Sequence, residues 1–292
     1  MIDITNGLEN KNSSEDWDLV IEPRGHLFDL KLKEVWHYRD LLWLLVRRDF
    51  VSFYKQTVLG PLWFFIQPIF MTVTYTFIFG KLAGISTDHI PGPLFYLAGI
   101  TCWNYFSECF TKTASVFKDN SNVFGKVYFP RLIMPLSIVF SNLVRFAVQL
   151  LLFFLVLGFY AIKGTYLNIN AYVLLFPIVV LLMALLGLGA GMIISALTTK
   201  YRDLYFLLTF GIQLAMYSTT VVYPLSTAPL KYKWIIALNP LTPLIETFRY
   251  GFLGKGSFTW MSLGISSIVT LLILLLGIVT FNKVERNFID TV

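Results

Sequence analysis

The stretch VRRDFVSFYKQTVLGPLWFFIQPIF, Val46 to Phe70, confines its charge to its first ten residues, on Arg47, Arg48, Asp49 and Lys55. A charged, amphipathic segment thus runs through Gly60-Pro61 straight into sequence as apolar as hydrocarbon. Basic and aromatic residues favour the headgroup region, and a long apolar run favours the bilayer core. The first half therefore reads as a helix lying on a membrane surface and receiving a push. The second half reads as a span that carries the push across.

Composition agrees. Of 292 residues, 56% are hydrophobic and only 14% charged, with a mean hydropathy of +0.68. Soluble domains sit nearer 45–50% apolar with roughly a quarter of residues charged, so this is an integral membrane protein. The first eighteen residues hold Asp3, Glu9, Glu15, Asp16 and Asp18 against Lys11. That pattern lacks the basic start and apolar run of a signal peptide and reads as a polar cytoplasmic tail, residues 1–30. Cys102 and Cys109 share one apolar segment, and His26, His37 and His89 are scattered, so no metal-ligand spacing appears.

Six segments are long enough to cross about 30 Å of hydrocarbon at about 1.5 Å per residue. They lie near 61–80, 94–117, 133–161, 172–197, 204–223 and 259–281, within a membrane domain of residues 59–292. The expected class is an all-α membrane protein of six transmembrane helices, preceded by an amphipathic helix over 31–58. Lys and Arg set the orientation. With the N-terminus inside, fifteen fall in cytoplasmic segments and six outside, while Lys112 and Arg145 lie within spans. Both termini are thus expected in the cytoplasm, and the formal charge of +6 reads as an orientation signal rather than a nucleic-acid footprint.

Between the fifth and sixth spans, residues 225–256 are too apolar for a free loop and too broken by Pro229, Pro240 and Pro243 to span. Irregular backbone at membrane depth needs protein or water to satisfy it. This segment reads as a re-entrant helical pair, with a loop folded on the outer surface as the alternative.

On a helical wheel, Leu32, Val35, Trp36, Trp43, Val46, Phe50, Phe53 and Tyr54 share one face of the first helix, opposite Lys33, His37, Asp40, Arg48, Ser52 and Lys55. Leu41 and Leu44 fall on the polar side and Arg39 on the apolar one. A plain anchor explains the aromatics and charges; the misplaced leucines suggest that a protein partner docks there too. In the second span Thr101, Asn104, Ser107, Glu108, Thr111 and Ser115 share a face. In the third, Ser141, Arg145 and Gln149 make another. An ionised Glu108 at this depth should face protein or water. Lys112 is one turn away, and Arg145 is at similar depth, so both are expected to pair with it. Ala184, Gly187, Gly191 and Ser195 form a small-residue stripe for close helix contact within the chain. The three Gly-Lys pairs continue as GKL, GKV and GKG, so no phosphate loop exists, and no hydrolase elbow or metal helix appears. Any nucleotide hydrolysis comes from another chain.

Together VIEPRG (20–25), LKEVWHYRDLLWLLVRRDF leading to YKQTVLGPLWFFIQP, KVYFPRLIMPLS (126–137), TKYRDL (199–204) and LNPLTPLIETFRYGFLG (238–254) resemble ABC-2 type permeases that export lipid-linked polysaccharides. The likeness is to the O-antigen exporters, with capsule and teichoic acid exporters as near relatives. It implies an inner-membrane homodimer clasped by two cytoplasmic ATPase subunits, which alone bind ATP and Mg, and an undecaprenyl-linked polysaccharide as cargo. It places ATPase coupling at Arg47, Arg48, Asp49 and Lys55 of the interface helix, at Asn120, Asn122, Lys126 and Tyr128 of a coupling helix, and at Tyr201, Arg202 and Asp203. The substrate path is then expected along Asn104, Ser107, Glu108, Thr111, Arg145 and Gln149, and the outer gate at Tyr223, Pro224, Asn239, Pro240, Glu246 and Arg249. Two other readings stay open: the same fold exporting a small hydrophobic drug or lipid, and a membrane-embedded acyl- or glycosyltransferase. The latter would need a catalytic group at the interface, and its candidates Glu246 and His89 lack partners in the sequence.

Overall fold

A computed structural model of the chain describes residues 32–55, 57–120, 123, 129–165, 168–201 and 203–288. Among these residues the structure is helical, with no strand. The tail over 1–30 lies outside them.

The surface helix is broken in two. α1 (Leu32–His37) ends at a turn on Tyr38, and α2 (Arg39–Tyr54) follows. After Gly60-Pro61 comes a 3-10 turn, Gly60–Leu62, that leads into α3 (Trp63–Tyr75), continued in π geometry over Thr76–Leu82. Gly60 sits at φ 53, a conformation that glycine reaches without steric cost, which lets the surface helix hand over to the apolar one. α4 is Gly92–Ala114, with Pro in its first turn, and α5 is the short Val116–Asp119. α6 (Ile133–Ile162) is followed by a 3-10 turn, Ala171–Leu175, and α7 (Phe176–Lys200). Then come α8 (Leu204–Tyr217), α9 (Leu230–Leu238), α10 (Leu241–Leu253) and α11 (Trp260–Phe288).

Four helices among the described residues are long and apolar enough to cross a membrane: Gly60–Leu82, Ile133–Ile162, Ala171–Thr198 and Trp260–Val284. The other two expected spans differ. α4 has the length, about 35 Å at 1.5 Å per residue, but carries polar residues along one side. α8 stops at Tyr217, so its fourteen residues reach only about 21 Å. The sequence reading extended it to 223, but Thr219, Thr220, Val221 and Val222 leave the helix and are buried.

α4 is the hub. It packs against α3, α6, α7 and α10, and Leu94 to Cys102 are buried without interruption. Its approach to α7 is close because α7 presents glycines. A Cβ on Gly191 would lie 2.6 Å from Thr113 Cβ, and one on Gly187 2.9 Å from Cys109 Cβ. The small-residue stripe is thus an intramolecular seam, as its sequence suggested. A second apolar cluster gathers Leu42, Leu45 and Val46 of α2, Val116 and Phe117 of α5, Ile133 and Met134 of α6, Met192 of α7 and Phe281 of α11. It ties the surface helix to one end of the bundle, where Thr198 Oγ1 also donates to the Ala114 carbonyl at 2.8 Å.

The helical wheel puts the aromatic face of the first helix on the membrane and Leu41 and Leu44 toward a protein partner; the structure seats Leu41 on this chain's own bundle instead. Leu42, Leu45 and Val46 are buried and Leu41 packs beside them, whereas Trp36, Trp43 and Leu44 are exposed. The helix has two apolar edges: one covers α6, and the aromatic one is left for lipid headgroups. Gly191→Leu is expected to overpack the α4–α7 seam by about 1–3 kcal/mol, lowering the unfolding temperature in detergent by roughly 2–10 °C. Gly158→Leu should change nothing, because its Cβ meets no atom within 4 Å. Equal melting of the two variants would refute the seam.

Candidate functional site

The polar side of α4 faces a cleft of about 810 Å³ between α3, α4 and α8. Asn104, Ser107, Glu108 and Thr111 line one wall, and Gln213 of α8 joins them. Rings of Tyr75, Trp103, Tyr205, Phe210 and Tyr217 line it too, beside Lys112, Ser115 and Asp119. The helical period explains the wall, since positions 104, 107, 108 and 111 recur at three and four residues. Thr101, expected on the same side, is fully buried instead.

Charge is concentrated at Glu108. Lys112 Nζ lies 2.9 Å from its carboxylate and Arg145 Nη1 lies 3.3 Å from it, so both expected pairs form and the group carries one net positive charge. Arg145 also sits over the Phe64 ring, 5.7 Å from its centroid. Asn104 Nδ2 donates to Gln149 Oε1 at 3.4 Å, and Lys112 Nζ donates to Asn142 Oδ1 at 3.4 Å. Asn142, not singled out from sequence, is therefore a member of the network. Its position one turn before Arg145 on α6 is the signal that would have found it. Behind the cluster, Gln67, Asn142 and Gln149 help line a polar cavity of about 60 Å³, a size that admits a few water molecules. Asn104 and Glu108 border both cavity and cleft.

The expected gate residues divide. Asn239 Oδ1 accepts from Leu241 N at 3.1 Å and starts α10, and the Pro240 carbonyl accepts from Ser266 Oγ at 2.6 Å. Tyr223 Oη donates to the Tyr217 carbonyl at 3.3 Å, and Pro224 is buried. Glu246 and Arg249 are buried, both about 1% exposed. Glu246 does not lack partners, as the sequence left it: Oε1 is 3.4 Å from Arg249 Nη1, and Oε2 accepts from Ser257 N at 2.9 Å. Arg249 donates through Nη1 to the Thr220 carbonyl and through Nη2 to the carbonyls of Val221 at 3.0 Å and Phe95 at 3.2 Å. Its guanidinium stacks 3.6 Å from the Phe95 ring centroid. Gly99 makes room, since a Cβ there would come 2.6 Å from Nη2. A buried charge therefore satisfies the backbone where α8 ends and pins α10 to α4. At the same end, Asp88 accepts from Ser226 Oγ at 2.7 Å.

Of the coupling candidates, Arg47, Arg48, Lys55, Tyr201 and Asp203 are exposed, and Arg48 pairs with Asp49 at 2.8 Å. Asn120 Nδ2 donates to the Val116 carbonyl at 3.0 Å, closing α5. Lys118 Nζ stands 4.6 Å from the centroid of the Tyr205 ring, linking this turn to the start of α8. Asn122, Lys126, Tyr128 and Arg202 lie outside the described residues. No group of three or more potential metal ligands occurs among the described residues.

Comparison with known proteins adds the family. Residues 40–253 match the ABC-2 type transporter family. The chain is 32% identical over 222 residues to the O-antigen export system permease protein RfbA of Myxococcus xanthus, covering 75% of this chain and 82% of that protein. It is 27% identical over 251 residues to the protein of the same name from Klebsiella pneumoniae, covering 86% and 94%. It is 22% identical over 242 residues to the polysialic acid transport protein KpsM of Escherichia coli, covering 80% and 89%.

Glu108→Gln and Arg145→Gln are each expected to lower folded yield, and the double variant to recover about 0.5–1 kcal/mol of the summed loss. Strictly additive losses in detergent unfolding would rule out a direct pair. Removing the buried Arg249 by Arg249→Met should cost about 3–5 kcal/mol, because it strands Glu246. Arg249→Lys should recover part of this, as read by the monodisperse fraction in size-exclusion chromatography.

Proposed function

The chain belongs to the ABC-2 type transporter family, and on that premise we propose that it is the permease of an ATP-driven exporter of lipid-linked polysaccharide, of the O-antigen kind. The names of its relatives support that cargo class. The observation that carries the reading is the cleft. A sugar chain presents hydroxyls and the flat apolar faces of its rings. Asn104, Ser107, Thr111 and Gln213 can exchange hydrogen bonds with the former, and Trp103, Phe210 and Tyr217 offer flat partners to the latter. A small apolar cargo would instead leave those polar groups unpaired against it, which is costly.

In this reading six helices span the inner membrane, namely α3, α4, α6, α7, α8 and α11, with both termini cytoplasmic. α4 spans despite its polarity because its polar side faces protein and the cleft. α8 spans despite its length because Arg249 satisfies the carbonyls beyond its last turn. α9 and α10 form the re-entrant pair at the outer end. Two copies assemble, and two cytoplasmic ATPase subunits, which hold ATP and Mg, dock on α2 and on the segments 118–131 and 198–203. The apolar cluster that joins α2 to α5, α6, α7 and α11 is the route by which their closure would move the spans. The chain itself performs no hydrolysis; it conducts.

The test is reconstitution. With its ATPase in vesicles, the complex should move a lipid-linked glycan in an ATP-dependent manner, and the chain alone should not. Uphill transport by the lone chain would end the proposal. Arg47→Glu with Arg48→Glu should reduce the co-purifying ATPase about tenfold, equivalent to about 1.4 kcal/mol, while the permease stays inserted. Unchanged recovery would remove α2 from the docking surface.

A further inference from the structure

Side-chain bonds cross the seam between α3 and α8 toward the end of the cleft remote from α2. Tyr75, the last residue of α3, lines the cleft and donates through Oη to Met216 Sδ of α8 at 3.6 Å. Both side chains are buried, and the Tyr75 ring meets Tyr96 of α4 edge-on, with centroids 6.3 Å apart. Past Tyr75 the helix continues in π geometry to Leu82, and the loop to α4 follows. In that loop the Asp88 carboxylate accepts from Ser226 Oγ, which lies 2.7 and 2.8 Å from its two oxygens. Ser226 belongs to a 3-10 turn, Leu225–Thr227, beyond the end of α8. The loop joins α3 to α4 and the turn continues the chain from α8, so this one bond ties together the ends of all three walls of the cleft.

The loop is held in a costly form. Asp88 and His89 stand at φ 52 and 62, and the Ile90 N–H donates to the Thr87 carbonyl at 3.0 Å. A turn with positive φ at both central residues is the kind for which Asn-Gly is the low-cost choice. Asp-His in that place leaves strain, which persists only where neighbours hold it. From within, Thr87 Oγ1 donates to the Ile90 carbonyl at 2.6 Å, and Ile90 is buried. From across the seam, the Ser226 hydroxyl supplies a hydrogen bond to a charged carboxylate, one of the stronger kinds. Strain and bond oppose each other, so the closed and open forms lie close in free energy, as a reversible closure requires. On the α4 side of the same end, Arg249 pins α8 and α10 to α4. The seam left able to part is the one between α3 and α8. We propose that Asp88 and Ser226 form a strained latch that, with Tyr75 and Met216, shuts the cleft at its outer end. That this end faces outward rests on the orientation read above; the latch itself does not.

Thiol labelling of the full-length chain tests it. Gln213→Cys puts a thiol on the cleft wall, and the native Cys102 and Cys109 are buried. In spheroplasts, a membrane-impermeant maleimide should label that thiol slowly. Ser226→Ala, at an exposed position, should raise the rate about fivefold, equivalent to about 1 kcal/mol. Ser226→Thr keeps the hydroxyl and should leave the rate unchanged. His89→Gly should lower it, because glycine takes positive φ without steric cost and steadies the closed turn. Fast labelling with the latch intact would overturn the proposal, as would a rate that Ser226→Ala leaves unmoved on either face of the membrane. A rise with His89→Gly would refute the strain. A rise with Ser226→Ala in inverted vesicles and not in spheroplasts would overturn the orientation and leave the latch standing.

Discussion

A carboxylate and two cations at membrane depth have to find one another, and that requirement organises the bundle. Glu108 and Lys112 lie on a helix whose other sides are buried along much of its length. The alternative to pairing is an ion facing hydrocarbon, which costs several kcal/mol. α6 answers with Arg145, Asn142 and Gln149, which fixes its rotation about its own axis. α7 answers on the opposite side with glycines, so that α4 is held by shape there and by charge here. The side left between these two contacts is the wall of the cleft.

The same logic operates a second time at the end where α8 stops. Past the last turn of α8 the backbone carbonyls have no intrahelical donor, and a buried backbone group left unpaired is costly. Arg249 supplies donors to Thr220 and Val221 and to Phe95 of α4 at once. Glu246 balances its charge and reaches on to Ser257. One residue therefore joins α4, α8 and α10, which makes the far end of the bundle a unit. Motion of α8 and motion of the α9–α10 pair are mechanically linked through it.

α8 stands apart from this tight packing. It has a polar, aromatic cleft on one side and, on the other, an apolar crevice against α4, α7 and α11, and it is anchored chiefly at its ends, by Lys118 against Tyr205 and by Arg249 beyond Tyr217. A helix held at both ends and loosely along its length is the element of this fold best able to shift.

Much of this was legible in the sequence. Apolar length marked the four helices long enough to cross a membrane. The three- and four-residue spacing of Asn104, Ser107, Glu108 and Thr111 marked a polar wall, because helical period is a local property. Gly187 and Gly191 announced close packing, since small residues in an apolar helix serve few other ends. The pairing of Glu108 with Lys112 and Arg145 followed from the cost of charge in hydrocarbon. Tertiary structure decided the rest. Which apolar edge of α2 meets the bundle depended on where α6 lay, and the sequence did not single out Leu42 and Leu45, which are buried there. Glu246 and Arg249, read as gate residues, are buried together: Arg249 donates to the carbonyls of Phe95, Thr220 and Val221, far away in sequence and without side-chain signature, and Glu246 accepts from the Ser257 N–H. The crevice beside α8 has no sequence signal at all: it is a space between helices, and only their packing creates it.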